Sequence, residues 1–224
     1  MSRSLSFRQL FKEALPVNSV VQIKQEEGIV WVSVFVIFLG FLTALHNHRL
    51  DHIFRTLWTM GLLTGLMLVQ RTFKPPRGVI GAILRPFFNV RTVMILAIFL
   101  AVHVSLVNVP FTHYDLFHKD WRNADMISHF LGGLTLWLMI AEVLVGLSEE
   151  GLAMSRREAV LYSFLIFYGL ALGWEVAEKL SEGSISFIQE STLNKVRDVI
   201  MDTLGALLGL WLVTRKGYPF ELAG

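Results

Sequence analysis

The chain has 224 residues, 54% hydrophobic and 12% aromatic, with a mean hydropathy of +0.55, an apolar load beyond what a water-soluble domain of this length can bury. A net charge of +2 with scattered lysines and arginines leaves no nucleic-acid footprint. The absence of cysteine excludes disulfides, iron–sulfur clusters and thiol nucleophiles, so any metal must be held by His, Asp or Glu. Because about 20 apolar residues cross a bilayer, the composition predicts an all-α, polytopic integral membrane protein of about six transmembrane helices, with no room for a separate soluble catalytic domain.

Residues 1–28 mix four basic with three acidic residues and lack a small-residue cleavage site, so they read as a retained cytoplasmic segment. Within it Phe7, Leu10, Phe11, Ala14 and Leu15 share one helical face, with Arg8 and Lys12 opposite and Pro16 as a stop, which predicts a short interfacial helix. Six apolar stretches follow at 29–45, 53–69, 92–109, 126–147, 159–177 and 199–213, the last expected to begin earlier, near Lys195. They divide into an N-terminal three-helix region, 29–109, and a C-terminal one, 110–224. Segment 73–88, carrying Pro75, Pro76 and Pro86, is too short and broken to span and is expected as a loop or re-entrant piece. With the N-terminus inside, the inner segments hold 13 basic residues and the outer ones six, which predicts cytoplasmic termini.

On that topology all seven histidines fall on or near the outer side: His46, His48, His52, His103, His113, His118 and His129. Three acidic sets have helical spacing there. Asp125 and His129 are i and i+4 at the outer start of span four, Glu175 and Glu178 are i and i+3 at the outer end of span five, and Asp198 and Asp202 are i and i+4 at the start of span six. Asp198, Asp202, Gly205 and Gly209 share one stripe, Gly132 and Gly133 follow His129, and Gly169 and Gly173 precede Glu175, a pattern that suits closely packed membrane helices and also arises from packing alone.

Three readings of these charges compete. The carboxylates pair with Arg55, Arg122, Lys179, Lys195 and Arg197 at the wet membrane surface; or Asp125, His129, Glu175, Glu178, Asp198 and Asp202 hold one or two divalent metal ions; or they form a proton or cation relay. His103 reads as a hydrogen-bonded core histidine, the HNHRLDH turn as a set of polar anchors, Glu142 as a cytoplasmic-end residue reaching toward Arg156 or Arg157, and Ser128 and Ser163 as hydroxyls with no assignable base.

The order D-x-x-x-H-F, E-x-x-E, D-x-x-x-D over three successive spans resembles the YjdF-type inner-membrane protein family, which looks like distant kin of the VanZ-like family. Asp125, His129, Phe130 and Gly133 match its first motif, Glu175 and Glu178 the second, and Asp198 and Asp202 the third. Residues 197–209 are similar to the VanZ-like R-D-x-x-x-N-T-x-G-x-x-x-G ending, with Asp202 where an Asn is usual. The resemblance covers about 111–213; the Q-G-D-x-W-D approach of YjdF-type chains is replaced here by IQESTLNKVRD, with Gln189 the one counterpart. It implies a membrane bundle with a polar cluster and no defined reaction, VanZ-like proteins being associated with teicoplanin resistance.

Two functions fit these residues. One is a metal-dependent enzyme acting on a lipid-linked or phosphorylated amphipathic substrate, with Arg122 and Arg197 gripping an anion. The other is a non-catalytic envelope binding or resistance protein, or a cation or proton conductor, using the same pocket. Membrane lipid is the expected surrounding partner in either case.

Overall fold

The computed structural model describes residues 17–107, 124–181 and 192–214, and among these it is all helical. The interfacial helix expected before Pro16, Arg122, His113 and His118 lie outside the described residues, as does the Glu178 side chain.

Helix α1 (Val17–His46) and helix α2 (Leu50–Thr72) form a hairpin through a three-residue turn, in which His48 takes a left-handed φ of 53°. Arg49 closes the turn with two hydrogen bonds to Asp51, at 3.1 and 3.0 Å, and Asp51 in turn lies 3.4 Å from His52 Nε2. Arg49, Asp51 and His52 of the HNHRLDH cluster are thus engaged with one another at the start of α2. Pro75 and Pro76 keep the chain extended after α2.

Within the segment expected as a loop or re-entrant piece lies an eleven-residue helix, α3 (Gly78–Phe88), which corrects the loop and leaves the re-entrant piece open. It ends just past Pro86, and Asn89 starts helix α4 (Val90–Val102) by accepting a hydrogen bond from Arg91 N at 3.1 Å. The two helices meet at 53°, a broken span or a re-entrant hairpin. A π-helical turn, His103–Val107, completes α4.

Helix α5 (Ala124–Glu149) stops at a turn where Gly151 has a φ of 98°. Helix α6 (Arg156–Ser181) opens on a capping box: Glu158 accepts from Ser155 N at 2.7 Å, and Ser155 Oγ accepts from Glu158 N at 3.2 Å. Helix α7 (Thr192–Val213) begins earlier than its apolar stretch, as expected.

Among the described residues four helices are long and apolar enough to cross a membrane, and the spans number five if the bent α3–α4 pair counts as one. Against the expected count of about six, α7 is the helix left out: it has the length but carries Lys195, Arg197, Asp198 and Asp202 in its first three turns. Half of the α5 span is buried inside the bundle, against 22–28% of α1, α2 and α6, so α5 is the central helix and the others present apolar faces such as Phe54, Trp58 and Leu165 outward.

One core joins α1, α2 and α4 through Val30, Ile37, Leu63, Met67 and Val93; the other joins α4 to α7 through Ile95, Trp137, Phe167 and Ala206, and Met94 packs against both. Successive long helices run in opposite directions. The end where α1 and α4 begin is called the near end below, and the end where α5 and α7 begin the far end.

Candidate functional site

The far-end site is created by the α5–α7 crossing. A methyl group on Gly133 would fall on the Asp202 carbonyl, one on Gly205 would fall on the Phe130 carbonyl, and one on Gly209 would lie 2.7 Å from the Trp137 ring. Backbone therefore meets backbone, which brings the first turns of the two helices into register. The expected glycine stripe on α7 is thus used, whereas Gly169 and Gly173 on α6 have nothing within 4 Å of an added Cβ among the described residues.

One turn from that crossing, the His129 imidazole lies between two carboxylates: Nδ1 is 3.4 Å from Asp202 Oδ2 and Nε2 is 3.7 Å from Asp125 Oδ2. Asp198, a turn farther along α7, is 1% exposed and accepts from Asn194 Nδ2 at 2.9 Å; Asn194 Oδ1 accepts from Arg197. Glu175 enters from α6, buried, with Lys195 Nζ 3.8 Å away.

Two sets bring their ligand atoms within 4.8 Å of one another: Asp125, His129 and Asp198, and His129, Glu175 and Asp202. Ligands on an octahedral ion stand about 3 Å apart when adjacent and about 4.2 Å when opposite, so either set would draw in around a divalent cation to hold it. Carboxylate with imidazole suits manganese, iron, zinc or magnesium. Lys195 beside Glu175 places an ammonium against the second set, which makes the first the better cradle. Whichever ring nitrogen took an ion, the other would face a carboxylate, the arrangement that fixes a ligating histidine.

The geometry thus gathers Asp125, His129, Glu175, Asp198 and Asp202 at one end. It turns Arg197 onto Asn194, and it also realises part of the ion-pair reading through Glu175 and Lys195.

The buried Ser128 has a partner that sequence spacing hid. Its Oγ is 2.6 Å from His103 Nδ1, a contact between residues 25 positions apart made at the π-helical turn, while Ser163 only donates to the Val160 carbonyl at 2.6 Å. Tyr168 and Thr203, 3.3 Å apart, tie α6 to α7 below the site and carried no motif signal. Glu142 does not reach toward Arg156 or Arg157. It is 1% exposed and turns inward to Asn89 and Thr92, because α3 and α4 supply donors there, while Arg156 is taken by Glu149.

No curated protein and no solved structure matches the chain. Residues 28–217, from the start of the first apolar stretch to just past α7, match the family described as "Predicted membrane protein (DUF2238)", of which the YjdF-like domain is the defining unit. With apolar helices on the page and that match covering most of its length, the chain belongs to the DUF2238 family of membrane proteins.

Proposed function

We propose that the far ends of α5, α6 and α7 bind a divalent metal ion and use it to hydrolyse or transfer the head group of a lipid-linked or phosphorylated amphipathic substrate. The observation that carries this reading is His129, with one carboxylate facing each ring nitrogen and Asp198 close enough to complete a three-ligand set. A bound ion would polarise a phosphoryl oxygen or generate a hydroxide nucleophile. Arg197, with Arg122 from the approach to α5, would hold the anionic group. The bias of basic residues supports a reading in which this end lies on the non-cytoplasmic side and both termini inside.

A second reading is favoured by the buried Glu175–Lys195 pair, a cation the site already owns. In that reading the pocket is non-catalytic: it binds an amphipathic ligand, in keeping with a VanZ-like resistance role, or it conducts a cation or proton. Elemental analysis of the purified protein separates the two. The enzymatic reading expects about one tightly held divalent ion per chain, lost in His129→Ala and Asp202→Asn. Metal-free protein that gains no stability from added magnesium, manganese, calcium or zinc supports the second reading.

A further inference from the structure

A second polar group lies at the near end, at the break between α3 and α4. Asn89 stands in the break, its Oδ1 accepting from Arg91 N at 3.1 Å and its Nδ2 donating to Glu142 Oε1 at 2.7 Å. Thr92, in the first turn of α4, donates to Glu142 Oε2 at 2.7 Å. Gln70 on α2 donates to the Phe87 carbonyl at the end of α3, also at 2.7 Å.

Glu142 is 1% exposed, yet a chain of alternating charge leads to it from the surface. Arg156 is 2.9 Å from Glu149, Glu149 is 2.6 Å from Arg85, and Arg85 Nε is 3.9 Å from Glu142, while side-chain exposure falls from 49% to 38%, 28% and 1% along that order.

We propose that Glu142 is a proton-binding site beneath the near-end surface, beside Arg85, and that its proton decides whether α3 stays docked on α5. An ionised carboxylate only accepts, and everything around this one donates: the Thr92 hydroxyl, the Asn89 amide and the Arg85 guanidinium. A proton taken up from water by a Glu142 oxygen turns an acceptor into a donor that faces donors. Thr92 can rotate its hydroxyl and accept. Asn89 can accept only by flipping its amide, which removes the oxygen that caps α4. A proton on Oε1 is therefore felt at the helix break itself, one on Oε2 is taken up by Thr92, and in either case Arg85 loses its anionic partner in the core and is left to its exposed pair with Glu149.

The charged groups of α1, α2 and α4 nearest the break stand in pairs of their own, while Lys74, Arg77, Glu150, Arg157 and Glu158 are exposed on the near-end surface. Glu26 of α1 pairs with Arg91 of α4 at 2.9 Å, Glu27 of α1 pairs with Arg71 of α2 at 2.7 Å, and the near half of α7, 207–213, carries no ionisable side chain. None of these pairs is buried as deeply as Glu142.

The absence of cysteine supplies the test. Ala82 of α3 is 4% exposed and lies against Gly146 of α5, so Ala82→Cys reports undocking by maleimide labelling. Rates are normalised to Thr72→Cys at the exposed end of α2, and Ala44→Cys, at a site 0% exposed in α1, reports whether the bundle stays intact. Labelling of Ala82→Cys in detergent-solubilised protein is expected to rise about tenfold between about pH 8 and pH 5 while Ala44→Cys stays protected. With Glu142→Gln added, labelling should be fast at both pH values and lose its pH dependence. Infrared difference spectra of the unsubstituted protein should show a protonated carboxyl band growing over the same pH range, a reading that needs no variant. Equal protection of Ala82→Cys at both pH values, or a pH response that survives Glu142→Gln with Ala44→Cys protected, overturns the proposal.

Discussion

The Asp202 carbonyl occupies the space that a side chain on Gly133 would need, and the Asp202 carboxylate faces His129 from the same position. One residue of α7 thus contributes its backbone to the helix crossing and its side chain to the site, so packing and chemistry cannot be changed independently there.

Gly133→Ala is therefore expected to push α7 away from α5 and to destabilise the protein by at least about 1–3 kcal/mol, the usual cost of overpacking. Any metal affinity should fall with it. Gly173→Ala, with nothing within 4 Å of the added Cβ, should stabilise α6 by up to about 1 kcal/mol through helix propensity. Thermal unfolding in detergent, comparing both variants with the parent, checks the contrast.

Added divalent metal at about 100 times its Kd should stabilise the folded protein by about 2.7 kcal/mol if it binds only that state. Asp202→Asn should abolish the gain. In the metal-free protein the same change removes one of several neighbouring carboxylates and should relieve repulsion. Glu142→Gln, 13 residues or about 20 Å along α5 from His129, should shift the baseline without changing the metal-induced increment. A melting series in which parent and Asp202→Asn respond alike to every ion would sink the metal reading.

The two α1 ion pairs should differ in worth. Arg91 and Glu26 are 19% and 11% exposed, so Arg91→Ala leaves a largely buried carboxylate and should cost about 3–5 kcal/mol. Arg71, 54% exposed beside Glu27, should cost about 0–1 kcal/mol when replaced by Ala. Denaturation of the two single variants measures the difference, and equal losses would mean that burial does not rank these pairs.

The basic-residue bias predicts that an impermeant thiol reagent added to intact cells reaches single cysteines at Asn47, Thr112 and Ser184 and misses those at Thr72 and Ser155. The reverse pattern would invert the orientation and place the His129 site on the cytoplasmic side.

Periodicity and charge made much of this legible. The i, i+4 spacing of Asp125 with His129 and of Asp198 with Asp202 put each pair on one helix face, and the Gly205/Gly209 stripe indicated the helix face that packs. Contacts between distant residues were not legible. Nothing near Ser128 announces His103, and nothing near Glu142 announces Asn89 and Thr92, because those meetings depend on a π-helical turn and on a bend between two short helices. The three prolines of 73–88 suggested a break, but Pro76 precedes the α3 start and Pro86 lies in its last turn, positions that leave room for a helix between them. Of about six spans expected, α7 is the one in which helical length and apolar composition part company.

The α5–α7 crossing also sets how much the site can flex. Two helices locked where Gly133 and Gly205 meet the opposing backbone cannot slide, but they can change crossing angle, and displacement then grows with distance from the pivot. His129 lies four residues from Gly133, about 6 Å, and Asp125 lies eight, about 12 Å; Asp202 and Asp198 stand three and seven residues from Gly205. A scissoring motion therefore moves the Asp125–Asp198 end about twice as far as the His129–Asp202 contact. The imidazole and its nearest carboxylate form the stiff jaw of this lever, and the outer aspartates are the part that can widen or narrow to the size of what enters.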